Sequence, residues 1–74
     1  MKYPSLSYVE IVNGLKRMGW IVVRQRGSHI RLHKGSEGGR LKLTVPAHKP
    51  VRPLTLKLIL TQGEIELEDF LKNV

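Results

Sequence analysis

The sequence predicts an α+β domain of order α-β-β-β-α, with a three-stranded antiparallel sheet and two helices on one of its faces. Three observations predict it. Apolar residues recur at three- and four-residue spacings near the start and again after Pro53. Between those segments lie three β-branched or alternating runs, each bounded by glycine or proline. The chain has 74 residues, enough for one core and so for a single domain over residues 1–74.

The stretch "SLSYVEIVNGLKRMGW" reads as the first helix. Ser7 is its N-cap and Glu10, three positions on, completes a capping box, with Leu6 at the staple position. Val9, Ile11, Val12, Leu15 and Met18 form one apolar stripe. Gly14 weakens the interior, and Gly19 is the stop. "WIVVRQR" is the first strand, ended by Gly27. Its alternation sends Ile21 and Val23 to the covered face and Arg24 and Arg26 to the other; Trp20 and Val22 fit neither set.

"SHIRLHK" is the second strand and "RLKLTVP" the third, ended by Pro46. "GSEGG", residues 35–39, connects them as a hairpin. "AHKPVRP" is a loop. A second helix opens on Pro53, which suits a first turn, supplies Leu56, Ile59 and Leu60, and ends at Gly63. "ELEDFLKN" closes the chain as a short helical turn with Leu67, Phe70 and Leu71.

Charge is the dominant compositional signal. Thirteen Lys and Arg face six Asp and Glu, a formal net charge of +7. Residues 16–57 hold 11 of the cations and one acid, Glu37, while residues 64–69, "EIELED", hold four acids. Such a field attracts polyanions, nucleic acid above all. There is no cysteine, so disulfides, thiolate metal sites and a cysteine nucleophile are excluded. No secretory signal and no membrane-spanning run is visible, so a cytoplasmic protein is expected.

Strand alternation places Ile30 and Leu32 on one face of the second strand, and His29, Arg31 and His33 on the other. In the third strand Leu41, Leu43 and Val45 oppose Arg40, Lys42 and Thr44. The uncovered face then carries Arg24, Arg26, Arg31, Arg40 and Lys42 around His29. Several chemistries drop out. His29 and His33 lie about 13 Å apart at ~3.3 Å per residue, too far to share a metal or a proton. Ser28 and His29, as neighbours on a strand, project oppositely, which argues against a nucleophile dyad. The acids cluster away from the histidines, so no metal and no other cofactor is expected.

What remains is one imidazole in a cationic field. RNA brings its own nucleophile, the 2′-hydroxyl. A base that removes its proton, with cations that stabilise the phosphorane charge, suffices for cleavage without a metal. Residue type and position alone favour the plainer reading, that His29 is an ordinary surface polar group.

The run "LKRMGW", then "VVRQRGSHIRL", then "LTVPAH", then "LTLKLILTQGEIELEDFL" resembles the HicA (YcfA-like) family of mRNA interferase toxins, over about residues 6–72. Its most specific element is "RQRGSH", with the histidine on a strand. The resemblance implies a fold like the double-stranded RNA-binding domain. It implies ribonuclease activity that depends on the motif histidine, His29; Arg24, Arg26, Gly27, Ser28, Arg31, Arg40 and Lys42, on and beside the basic face, are read as the RNA-binding residues around it. It also implies messenger RNA as substrate and a HicB-like antitoxin as partner. His29 is the only histidine at the motif and its proton-donor partner is not identified; His48 could approach from its proline-flanked loop, although a histidine there is more often simply exposed.

Two other readings compete. A non-catalytic module that binds double-stranded RNA would want a lysine cluster at the start of the second helix, where "PLTLKLIL" offers only Lys57. A protein-interaction domain would use the basic face for an acidic partner, and its complexes would resist salt better than RNA does.

Overall fold

A computed structural model describes residues 3–36 and 39–74. The elements run α1 (Tyr8–Arg17), β1 (Ile21–Arg26), β2 (His29–Ser36), β3 (Gly39–Pro46), α2 (Pro53–Gln62) and α3 (Leu67–Leu71). The sheet is antiparallel in the order β1-β2-β3, so the α+β fold read from the sequence is the one observed. β2 and β3 reach further into the glycine-rich connection than expected, pairing as far as Ser36 with Gly39. Glu37 and the middle of that connection lie outside the described residues. Among the described residues no helix is long and apolar enough to cross a membrane.

α1 begins where the local chemistry says it should. Ser7 Oγ accepts from the Glu10 amide at 3.2 Å, and Glu10 Oε1 accepts from the Ser7 amide at 3.1 Å. It ends in a Schellman motif: the Trp20 amide donates to Leu15 O at 3.0 Å and the Gly19 amide to Lys16 O at 3.0 Å, with Gly19 at φ 96°. Ile11, Val12 and Leu15 are buried, but Val9 leaves the stripe and is 42 % exposed.

The core lies between the helices and one sheet face. Ile30, Leu32, Leu43 and Val45 meet Ile11, Leu15, Leu56, Ile59, Leu60 and Phe70 there. In the register, Ile30 pairs with Val45 and Leu32 with Leu43, so these four share the covered face. Val51, read as loop, is buried, because it pairs with Leu6 in an antiparallel bridge, its amide donating to Leu6 O at 2.6 Å. In α3, Leu67 and Phe70 are buried, but Leu71 is exposed. Gly14 has a packing role: a Cβ there would stand 3.1 Å from Phe70 Cε1, so the glycine lets α3 close on α1.

β1 departs from the sequence reading. Ile21 and Val23 are 65 % and 48 % exposed, whereas Trp20 is 2 % exposed and Val22 packs against the core. The cause is a β-bulge. Val22 pairs with Leu32, but Arg24 pairs with Arg31, so Val23 is the extra residue. A bulge shifts the alternation by one. Before it the even positions Trp20 and Val22 face inward; after it the even positions Arg24 and Arg26 face outward.

α2 also ends in a Schellman motif, with an odd assignment. The Ile65 amide donates to Leu60 O at 2.8 Å and the Glu64 amide to Thr61 O at 3.1 Å. The left-handed position is Glu64, at φ 55°, not the adjacent Gly63. Gly63 serves another need. A Cβ there would meet Ile65 Cδ1 at 2.8 Å, and Leu43 Cδ2 and Trp20 Cζ2 at 2.9 Å. Gly63→Ala should therefore destabilise by about 1–3 kcal/mol through overpacking. Glu64→Gly should stabilise by about 0.5–1 kcal/mol: a left-handed side chain costs ~1–2 kcal/mol, and glycine's extra chain entropy returns part of that. Urea unfolding of the two variants checks both signs; two shifts of the same sign would contradict this account of the helix end.

Candidate nucleic-acid interface

β1 and β2 are joined by the two-residue turn Gly27–Ser28. Gly27 takes φ 58°, the positive value that a type II′ hairpin turn requires at its first central position. The turn sets Arg26 opposite His29, and the strands then carry Arg24 opposite Arg31. Ser28 lies in the turn and not in a strand, so strand alternation does not fix its side chain; its carbonyl accepts from the Ala47 amide at 2.7 Å. That bond ties the hairpin to the segment after β3.

The result is an open depression of about 400 Å³ lined by Arg24, Arg26, His29, Arg31 and Thr44. His29 is exposed, and among the described residues no protein group hydrogen-bonds its ring. No carboxylate lines the depression. Two arginines directly across a strand pair repel each other. Here that repulsion has no protein counter-charge among the described residues. A bound anion would relieve it.

The structure separates the basic residues read from the sequence into two groups. Arg24, Arg26, Arg31 and His29 come together. Arg40 pairs with Gly35 and Lys42 with His33, on the same face. At ~3.3 Å per residue, Lys42 lies about 13 Å and Arg40 about 20 Å along the sheet from the His29 row. Thr44, which alternation assigned to this face without a role, lines the depression because it pairs with Arg31. Its uncharged side chain gave no signal in a search for cations. His48 is exposed and lines a different pocket.

His33 differs from His29. It is half-buried, and its Nδ1 is enclosed without a partner among the described residues. Desolvation first, then the charges of Lys42, Arg40 and Arg31, hold its pKa below the usual 6.5. The sign of the consequence follows from proton counting. Below about pH 6.5 the unfolded chain binds a proton at this site more readily than the folded one. Stability attributable to His33 is intact above that value and declines as pH falls through it. Thermal melts of His33→Gln should show a shallower loss of Tm on acidification than the native chain; equal slopes would remove His33 as the cause. Among the described residues no three His, Asp or Glu side chains gather as a metal site.

Comparison with known proteins adds one finding. A family model described as the HicA toxin of bacterial toxin–antitoxin systems matches residues 9–65. No curated protein matches, and no solved structure does. The matched span includes all of the sheet, the Gly27–Ser28 turn and every residue lining the depression.

Proposed function

The chain belongs to the HicA toxin family of bacterial toxin–antitoxin systems, and from that premise we propose that it is a metal-independent endoribonuclease that cleaves messenger RNA with His29. As a toxin of such a system it has an antitoxin as its partner. The observation that carries the ribonuclease reading is the exposed His29 ring in a depression flanked by three arginines and no carboxylate. An imidazole is well suited to take a proton near neutral pH. Fixed cations beside it favour the extra negative charge that develops on a phosphorane.

The steps balance without a metal. His29 takes the proton of the 2′-hydroxyl, whose oxygen attacks the adjacent phosphorus. Arg24, Arg26 and Arg31 stabilise the added charge, and the Thr44 side chain stands at the rim as a hydrogen-bond donor. The bond to the 5′ oxygen breaks, and that oxygen takes a proton from solvent. The products are a 2′,3′-cyclic phosphate and a 5′-hydroxyl. The cognate antitoxin, in this reading a HicB-like protein, inhibits by covering the same depression.

The test is incubation of the purified chain with labelled single-stranded RNA and the same sequence as DNA, both in EDTA. Cyclic-phosphate fragments from RNA and intact DNA are the expected result. Intact RNA that shifts in a gel would favour the binding module without chemistry, and cleavage of the DNA would exclude the 2′-hydroxyl mechanism.

A further inference from the structure

We propose that the pocket formed by residues 46–55 is a second RNA subsite, which holds the nucleotide on the far side of the scissile phosphate from Arg24 and Arg26. The inference deepens the ribonuclease reading and rests on it. It begins with the register. Arg26 pairs with His29 and His29 pairs with Pro46, so the three residues form one row across the sheet. Adjacent strands lie about 4.8 Å apart, so the row spans about 10 Å. Arg24 and Arg26, on β1, occupy one side of His29. Pro46, at the other end of the row, is the rim of a pocket of about 690 Å³ that His48, Lys49, Arg52 and Thr55 also line.

That volume is the larger of the two and lies within the range of pockets that hold small organic ligands, roughly 300–1,000 Å³. It is large enough for a base and sugar, whereas the smaller His29 depression suits a phosphate. The charge is right as well. No carboxylate lines the pocket. Among the described residues the Arg52 and His48 side chains have no partner, and Lys49 has only the Tyr8 ring, 5.7 Å from its Nζ. The Arg52 and Lys49 cations are free to take a phosphate.

The pocket is also held in shape. The Ala47 amide donates to Ser28 O at 2.7 Å, the Tyr8 amide to His48 O at 3.3 Å and the Val51 amide to Leu6 O at 2.6 Å. The segment is thus fastened to the catalytic hairpin at one end and to the start of α1 at the other. A strand of RNA that leaves His29 toward β3 meets Pro46, the pairing partner of His29 that also lines this pocket. Duplex RNA keeps its bases stacked within the helix, so an open pocket of this size selects for an unpaired strand.

The test uses Lys49→Ala/Arg52→Ala and, separately, Arg52→Glu, whose acid at the start of α2 is compatible with the helix dipole. Thermal melts establish that each variant is folded. Binding of a short single-stranded oligoribonucleotide is measured with His29→Ala added, so that the RNA stays intact. The double change should weaken binding about tenfold and lower the slope of log K against log salt by about 1.4, at ~0.7 per lost contact with a single strand. Shortening the RNA from the end that enters the pocket should cost affinity with Lys49 and Arg52 present, and nothing once both are replaced, which is the coupling a direct contact gives.

Cleavage measured alongside, with His29 intact, separates the two claims. If His29-dependent cleavage stands while both pocket variants bind and cut RNA like the native chain, the subsite is overturned and the ribonuclease reading survives. If RNA binds through the pocket but is never cut, the nuclease reading fails and the contact stands. If the variants bind RNA normally but lose affinity for polyglutamate, the pocket receives an acidic protein segment and the subsite is overturned.

Discussion

His29→Ala will slow RNA cleavage by orders of magnitude while leaving the chain folded and its RNA affinity within a few-fold of native. The fold should survive because the ring is exposed and contributes nothing to the core. Its backbone pairing with Arg26 and Pro46 does not depend on the side chain. Affinity should survive because Arg24, Arg26 and Arg31 remain in place. The rate should fall by about 100- to 10,000-fold, the usual worth of a positioned base. Imidazole added to the solution should restore part of the lost rate in the alanine variant, since it supplies the missing base without the tether. His33→Ala is the matched control: it removes an imidazole about 13 Å away on the same face, and the chain should still cleave. Cleavage by a nuclease-free preparation of His29→Ala at the native rate would remove His29 from the chemistry.

The features legible in the sequence are those decided by residues close together in the chain. The Ser7–Glu10 box and the Gly19 stop use partners within one helical turn, and both stand as read. Gly27 announced a turn because its neighbours alternate on both sides, and the turn brought Arg24, Arg26, His29 and Arg31 into one depression. The misread features are settled across the fold. Nothing in "WIVVRQR" marks Val23 as a bulge; the extra residue is visible only against the partner strand. The burial of Val51 depends on Leu6, at the opposite end of the chain. Gly63 looked like an ordinary helix stop, but its small size is demanded by Trp20 and Leu43, while Glu64 takes the strained angle. Thr44 joined the depression through its pairing with Arg31, a fact of register that no single strand contains.

Register also supplies the sharpest structural prediction, because two adjacent residues of β2 should respond in opposite ways to the same change. Ile30→Asp should unfold the chain. Ile30 is 5 % exposed and pairs with Val45, which is fully buried, in a core that holds no charged side chain among the described residues. Removing the isoleucine alone forfeits about 2–5 kcal/mol, and an unpaired carboxylate there adds several more or must take up a proton. A chain of this length has only about 4–11 kcal/mol to lose, at ~0.05–0.15 kcal/mol per residue. Arg31→Asp, one position on, faces solvent beside Arg24 and Thr44. It should keep the cooperative melt and replace the Arg24–Arg31 repulsion with an attractive cross-strand pair, giving equal or slightly higher Tm. It should also weaken RNA binding, because it puts a negative charge where a phosphate is to sit. Circular dichroism and a melt distinguish the two: a folded Ile30→Asp, or an unfolded Arg31→Asp, would mean that β2 presents the opposite face to the helices and that His29 points into the core.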